Sequence, residues 1–177
     1  MPLGRDVPVS LGHLVRRFFD VLLAKPLSTD EVASVNGWLR DVEAEVFFDQ
    51  ATPDQRHGHH AAGVVVAAGE TNVTIIRAAL LHDVGKRHAG LGVVGRSLAS
   101  VSMRLGLPTG RRGRLYRDHG ALAAKELAAL GCEPVIVDFA RNHHGSRPAT
   151  IASGTWDLLQ LADEAPKTMS RARARIT

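Results

Sequence analysis

Apolar residues recur every three to four positions along most of the chain, and nowhere do they alternate one by one as a half-buried strand requires. That spacing restricts the 177-residue chain to an all-α fold, a bundle of about seven to eight helices. Alanine is abundant and aromatic residues make up only 5% of the chain, so the helices are expected to pack closely. The length suits one complete core better than two. Residues 1–50 are expected to supply N-terminal helices packed on that core, residues 51–170 the core domain itself, and residues 171–177 a basic tail.

Leu11, Leu14, Val15, Phe18, Val21 and Leu22 predict a first helix over 10–24, with Ser10 as its cap. After Ser28, the residues Val32, Val35, Trp38, Leu39, Val42, Val46 and Phe47 keep the period and predict a single second helix. Further helices are expected over 54–68, 73–84, 94–106, 119–130, 134–144 and 155–164, the fourth ending at Gly85 and the fifth carrying Leu98, Val101 and Leu105 on one side. Residues 108–117, rich in Gly and Arg, are expected to form a loop.

The longest apolar run, Ala61 to Gly69, falls far short of the roughly twenty residues that cross a bilayer, so no membrane span is expected. Arg16-Arg17-Phe18-Phe19 looks like an export signal, but Asp20 and Lys25-Pro26 interrupt any apolar core behind it. One cysteine, Cys132, excludes an internal disulfide and a thiolate zinc site; it reads as a small helix-end residue in a reducing, cytoplasmic chain. A net charge of +4 permits phosphate-bearing partners. No aromatic residues interleave with the basic ones, so nucleic acid is not favoured.

Of the nine histidines, all except His13 lie between positions 57 and 144. On each helix the potential metal ligands share the apolar stripe. His57 heads Ala61, Val64, Val65 and Ala68; His82 and Asp83 follow Ile75, Ile76, Ala79 and Leu80. His119 precedes Leu122, Ala123 and Leu127, His143 follows Ile136, Phe139 and Ala140, and Asp163 follows Trp156 and Leu159. A single histidine so placed is ordinarily a satisfied core residue. Five helices doing it together is different, because several buried imidazoles and two carboxylates are costly unless a cation satisfies them at once. Nitrogen and oxygen donors suit Fe or Mn first, with Co, Ni, Zn or Mg as alternatives. Register selects His57 over its neighbours His60 and His59, which stay as alternatives; His13 and His88 read as surface residues.

His57, then Ala-Leu-Leu-His82-Asp83-Val-Gly-Lys86, then Asp163 in Leu-Ala-Asp, resembles the HD-domain metal-dependent phosphohydrolase superfamily. Asp118-His119-Gly and Asn142-His143-His144-Gly look like the third and the paired histidines of its binuclear branch. The Gly-Tyr-Pro element of its cyclic-dinucleotide branch is missing. The resemblance implies an HD-domain-like helical bundle and two divalent metal ions. One would be held by His57, His82, Asp83 and Asp163, the other by Asp83, His119, His143 and His144, with Asp83 bridging. It implies hydrolysis of a small phosphate-containing substrate, a phosphomonoester or phosphodiester, by metal-activated water. A mixed-valence di-iron oxygenase and a non-catalytic nucleotide-sensing module are the alternatives. His143 and His144 stand about 100° apart on an ideal helix, so both serve one metal only where the helix frays, as Gly145 permits. Lys86 could reach a phosphate oxygen and assist catalysis, and Arg147 a second anionic group. Arg111, Arg112, Arg114 and Arg117 read as a solvated run, with a lid built on glycine nests as the alternative.

Overall fold

The computed structural model describes residues 24–165. Among these there are nine α-helices, a 3-10 turn and no strand. The helices are α1 (Thr29–Trp38), α2 (Asp41–Phe48), α3 (Thr52–Ala67), α4 (Val73–Leu81), α5 (Val93–Arg104), α6 (Arg111–Arg117), α7 (His119–Ala129), α8 (Pro134–Asn142) and α9 (Ser153–Glu164). The 3-10 turn, Val84–Ala89, follows α4. No helix among the described residues is long and apolar enough to cross a membrane. The helix expected over 10–24 and the basic tail lie outside the described residues, apart from Ala24.

Helix α4 forms the centre. Every residue from Ile75 to Leu81 is buried, as expected of a helix apolar on all sides. Helices α3, α8 and α9 pack around it, α7 packs on α8 and on the 3-10 turn, and α6 covers the other side of that turn. Phe47, Leu80, Leu81, Leu127, Ile136, Phe139, Ile151 and Leu159 fill the core between them.

The single helix expected after Ser28 is in fact two. Ser28 caps α1 through a reciprocal capping box with Glu31, and the chain turns extended at Leu39 and Arg40. Arg40 then caps α2: its backbone N–H donates to Glu43 Oε2 at 3.0 Å, and its guanidinium bonds the same carboxylate. Glu43 is fully enclosed. It accepts from Arg77 Nε of α4 at 2.9 Å, and Arg77 also reaches Glu133 at 2.7 Å. The Cys132 thiol donates to Glu43 at 3.1 Å, and burial together with that carboxylate pushes the thiol up to about 11. Cys132 is therefore an inert structural residue, placed between α7 and α8.

Residues 111–117, expected as loop, are helix α6. Gly110 is its extended N-cap, Gly113 is buried against Thr109, and the arginines, good helix formers, remain exposed. The exposed arginines match the expected solvated run, and neither glycine has a positive φ, so the alternative of a lid built on glycine nests finds no support. The apolar stripe of α5 also differs from an ordinary core-facing one: Val94, Leu98, Val101 and Leu105 are 59, 62, 48 and 66% exposed.

Burial works to raise the Glu43 carboxyl, and the Arg77 and Arg40 guanidinium groups overcome it, holding the group down at about 2 against an ordinary 4.5. A depressed value means that the carboxylate stabilises the fold above about pH 4.5 and loses that contribution as pH falls toward 2. The contribution is on the order of 3 kcal/mol. Urea melts should therefore show Glu43→Gln less stable than wild type by about that amount at pH 7, with the gap closing between pH 4.5 and 2. A gap of the same size at both ends would refute the ionised network.

Candidate metal centre

Asp83 lies two residues past the end of α4 and caps the start of the 3-10 turn, with φ −101° and ψ 2°, the bridge region that many active-site residues occupy. Its side chain is 2% exposed, and four imidazole Nε2 atoms surround its carboxylate. His57 and His82 stand 3.6 and 3.4 Å from Oδ2, and His119 and His143 stand 3.3 and 3.5 Å from Oδ1. From α9, Asp163 Oδ1 approaches His57 at 2.8 Å and His82 at 3.2 Å. The Lys86 ammonium bonds Asp83 Oδ2. His144, exposed, places its ring 4.0 Å from that of His143 and 5.1 Å from that of His119.

Three of the imidazoles are oriented by one local device. His82 Nδ1–H donates to the Ala79 carbonyl at 2.9 Å, His119 to Tyr116 at 2.6 Å and His143 to Ala140 at 2.9 Å. Each acceptor lies three residues upstream in the last turn of a helix, where carbonyls lack an intrahelical partner. With Nδ1 committed, Nε2 faces the cluster. The negative ends of α4, α6 and α8 converge on the same spot, which favours positive charge there.

The electrostatics agree. Burial lowers His82, yet Asp83 and Asp163 raise it to about 10. Burial raises both carboxyls, but Lys86 and His82 hold Asp83 well below its usual value, and the hydrogen bond with His57 together with the charge of His82 does the same for Asp163. Burial lowers His143, and burial with the charges of His143, His119 and Lys86 takes His144 down to about 4, so it is neutral at pH 7. The centre thus attracts cations where His82 Nε2 and Asp83 Oδ1, both buried, have no hydrogen-bond partner. Two buried, unpartnered ligand-type atoms in one cluster of imidazoles and carboxylates fit metal coordination better than a packed core.

All seven of the residues expected as ligands meet here. Three sets of atoms each lie within 4.8 Å of one another: His119, His143 and His144; His57, His82 and Asp83; and His82, His143 and Asp163. The third set crosses the expected division into two sites. The grouped atoms include neither His59 nor His60, and His59 faces Glu31 at 3.9 Å. The helix does end at Asn142, with His143 and His144 in the turn after it. Arg147 donates Nη1 to the Ile151 carbonyl at 2.7 Å, and His88 bonds Glu126 at the surface.

Sequence reading missed several supporting residues. Gln160 of α9 donates to the His143 carbonyl at 2.7 Å and fixes the turn. Asp54, one turn before His57, is buried and accepts from Arg96 of α5 at 2.6 Å. Arg77, the sole charge in an apolar run, carried a signal; Gln160 carried none. Comparisons with models of known protein families, with characterised proteins and with solved structures find no match.

Two close approaches set these distances. A Cβ on Gly85 would lie 2.0 Å from the His119 carbonyl oxygen, and one on Gly120 would lie 2.8 Å from that of Ala140. Both obstacles are backbone, so a side chain would have to push α7 away from the 3-10 turn or from α8. Gly85→Ala should cost about 3 kcal/mol or more in denaturant melts. Gly63→Ala, on an open face of α3, should instead gain about 0.5–1 kcal/mol. Equal effects of the two substitutions would disprove the spacing role.

Proposed function

We propose that the chain is an HD-domain metal-dependent phosphohydrolase that hydrolyses a phosphomonoester or phosphodiester, a nucleotide or another small phosphate ester, in the cytoplasm. What carries this reading is the sealed Asp83 carboxylate, ringed by imidazole Nε2 atoms at 3.3–3.6 Å and backed by Asp163. The sequence resemblance to that superfamily, carried by the same residues, agrees with it.

The donor set suits two divalent ions, Fe or Mn before Co, Ni, Zn or Mg. His57, His82, Asp83 and Asp163 would hold one and Asp83, His119, His143 and His144 the other. When bound, such ions supply Lewis acidity and a water acidified toward neutrality. Asp83, kept ionised, stands within 3.6 Å of histidines from both groups. His144, neutral at pH 7, keeps a ring nitrogen lone pair. Lys86 stands partly exposed beside Asp83, where its ammonium offers a hydrogen bond to a non-bridging phosphate oxygen. Arg147 is steadied by Ile151 and has further guanidinium donors for a second anionic group. The paired histidine beside His119 favours hydrolysis over a di-iron oxygenase, a class that resemblance associates with one histidine there.

Metal analysis of anaerobically purified protein, followed by phosphate release from a panel of nucleotides and small phosphate esters, tests the proposal. Metal-dependent release is expected. Asp83→Ala should lose both metal and turnover while circular dichroism stays helical, and Asp163→Asn should lose about half of the metal. Lys86→Ala should keep its metal and lower kcat about 100-fold. Full metal content in Asp83→Ala excludes a bridging role. Oxygen uptake with a phosphonate or diol would identify the oxygenase instead, and nucleotide binding without turnover a sensor.

A further inference from the structure

Helix α5 presents its apolar side to solvent. Val94, Leu98, Val101 and Leu105 fall at intervals of four, three and four residues, one continuous stripe about 16 Å long, and exposed Leu107 extends it. A stripe of this kind on a folded chain marks an interaction surface. Positive charge borders it. Helix α6 packs against α5, and its arginines Arg111, Arg112, Arg114 and Arg117 are all exposed. Arg111 and Arg112 line one groove between the two helices together with Leu98, and Arg114 and Arg117 line the next together with Leu107. Asp118 pairs with Arg117 at 2.9 Å, but among the described residues neither groove is lined by an acidic one.

We propose that the α5 stripe and the α6 arginines together dock this protein on the surface of a bilayer rich in anionic phospholipid. The occupant of this face must offer hydrocarbon and negative charge side by side. The rest of the chain does not supply the charge: residues 1–23 carry Arg5, Arg16 and Arg17 against Asp6 and Asp20, and residues 166–177 carry Lys167, Arg171, Arg173 and Arg175 with no acid. A second copy, placed face to face about a two-fold axis, would set arginines against arginines. A partner helix seats its anchor residues in an apolar trough, whereas here the apolar side chains stand out from the surface, about half exposed or more. An anionic bilayer meets both requirements: its acyl boundary takes Val94, Leu98, Val101, Leu105 and Leu107, and its phosphates take the guanidinium groups. At 12 residues α5 is far short of the roughly twenty that cross a bilayer, so it lies in the interface plane. Apolar insertion and basic attraction then reinforce one another.

Vesicle sedimentation with the full chain decides the matter, and it needs neither metal nor turnover. The protein should pellet with vesicles of phosphatidylcholine containing about one third phosphatidylglycerol and stay in solution with phosphatidylcholine alone, and high salt should release it. Leu98→Glu and Arg112→Glu, both at exposed positions, should each weaken binding at least about 10-fold while circular dichroism stays helical. Lys125→Glu, an exposed charge of α7 outside both grooves, should change it by less than about 2-fold. In a second measurement, an environment-sensitive dye on Leu98→Cys should shift to the blue when anionic vesicles are added, and the same dye on Val66→Cys, an exposed position of α3, should not. Cys132, buried and hydrogen-bonded to Glu43, stays unlabelled. No binding to anionic vesicles, equal binding to neutral ones, equal losses from Arg112→Glu and Lys125→Glu, or equal dye shifts at both positions would each overturn the proposal. So would binding of a synthetic acidic amphipathic helix without any binding of vesicles, which would assign the face to a protein.

Discussion

A carboxylate with almost no access to water organises this molecule. Asp83 sits where α4 gives way to a 3-10 turn, and an ionised acid in such a place costs several kcal/mol unless positive charge or donors answer it. The answer comes from every side: Lys86 one turn on, His82 next to it, His57 from α3, His119 from α7 and His143 from the end of α8. Removing the acid would leave these groups, with Asp163, to repel or desolvate one another. The helices are arranged as they are because that single charge must be enclosed and still be compensated.

Compensation is achieved with a device that serves stability and chemistry together. A helix end leaves carbonyls without partners, and a buried imidazole needs one of its two nitrogens satisfied. At His82, His119 and His143 each requirement meets the other, since Nδ1–H caps a last-turn carbonyl and Nε2 is turned toward Asp83. Ring orientation follows from backbone geometry instead of from side-chain packing alone. Three helix ends also bring their negative poles together and add to the field of Asp83 and Asp163, the carboxylates that raise His82 to about 10 against the effect of burial.

Much of this was legible in the chain itself, for a physical reason. Helical period fixes which side chains share a face, so His57, His82, Asp83, His119, His143 and Asp163 could be assigned to buried stripes, and the structure brings them to one place. Periodicity says less about where a helix stops. Leu39-Arg40 breaks what reads as one helix, because Arg40 and Arg77 are recruited to a buried Glu43 that is remote from Arg77 in sequence. Residues 111–117 coil because Gly110 and Gly113 serve as cap and contact, whereas by composition they suggest a turn. The stripe on α5 shows the remaining gap: an amphipathic pattern declares that a face is covered without saying by what.

Precision at the centre depends least on the ligands and most on what lies between the helices. Ligand-bearing helices meet through glycine at Gly85 and Gly120, where the facing atoms are backbone oxygens that cannot rotate aside. A shift there moves His119 as a unit with α7, away from both Asp83 and His143, whereas a change on an exposed flank of α3 moves nothing. Helix α5 sits at the other extreme. It joins the ligand-bearing core through Arg96 and Asp54, and its apolar side faces away from that core. The buried part of the molecule is thus the part that holds the charged cluster, and the apolar surplus of α5 lies at the periphery, away from the distances of a few ångströms around Asp83.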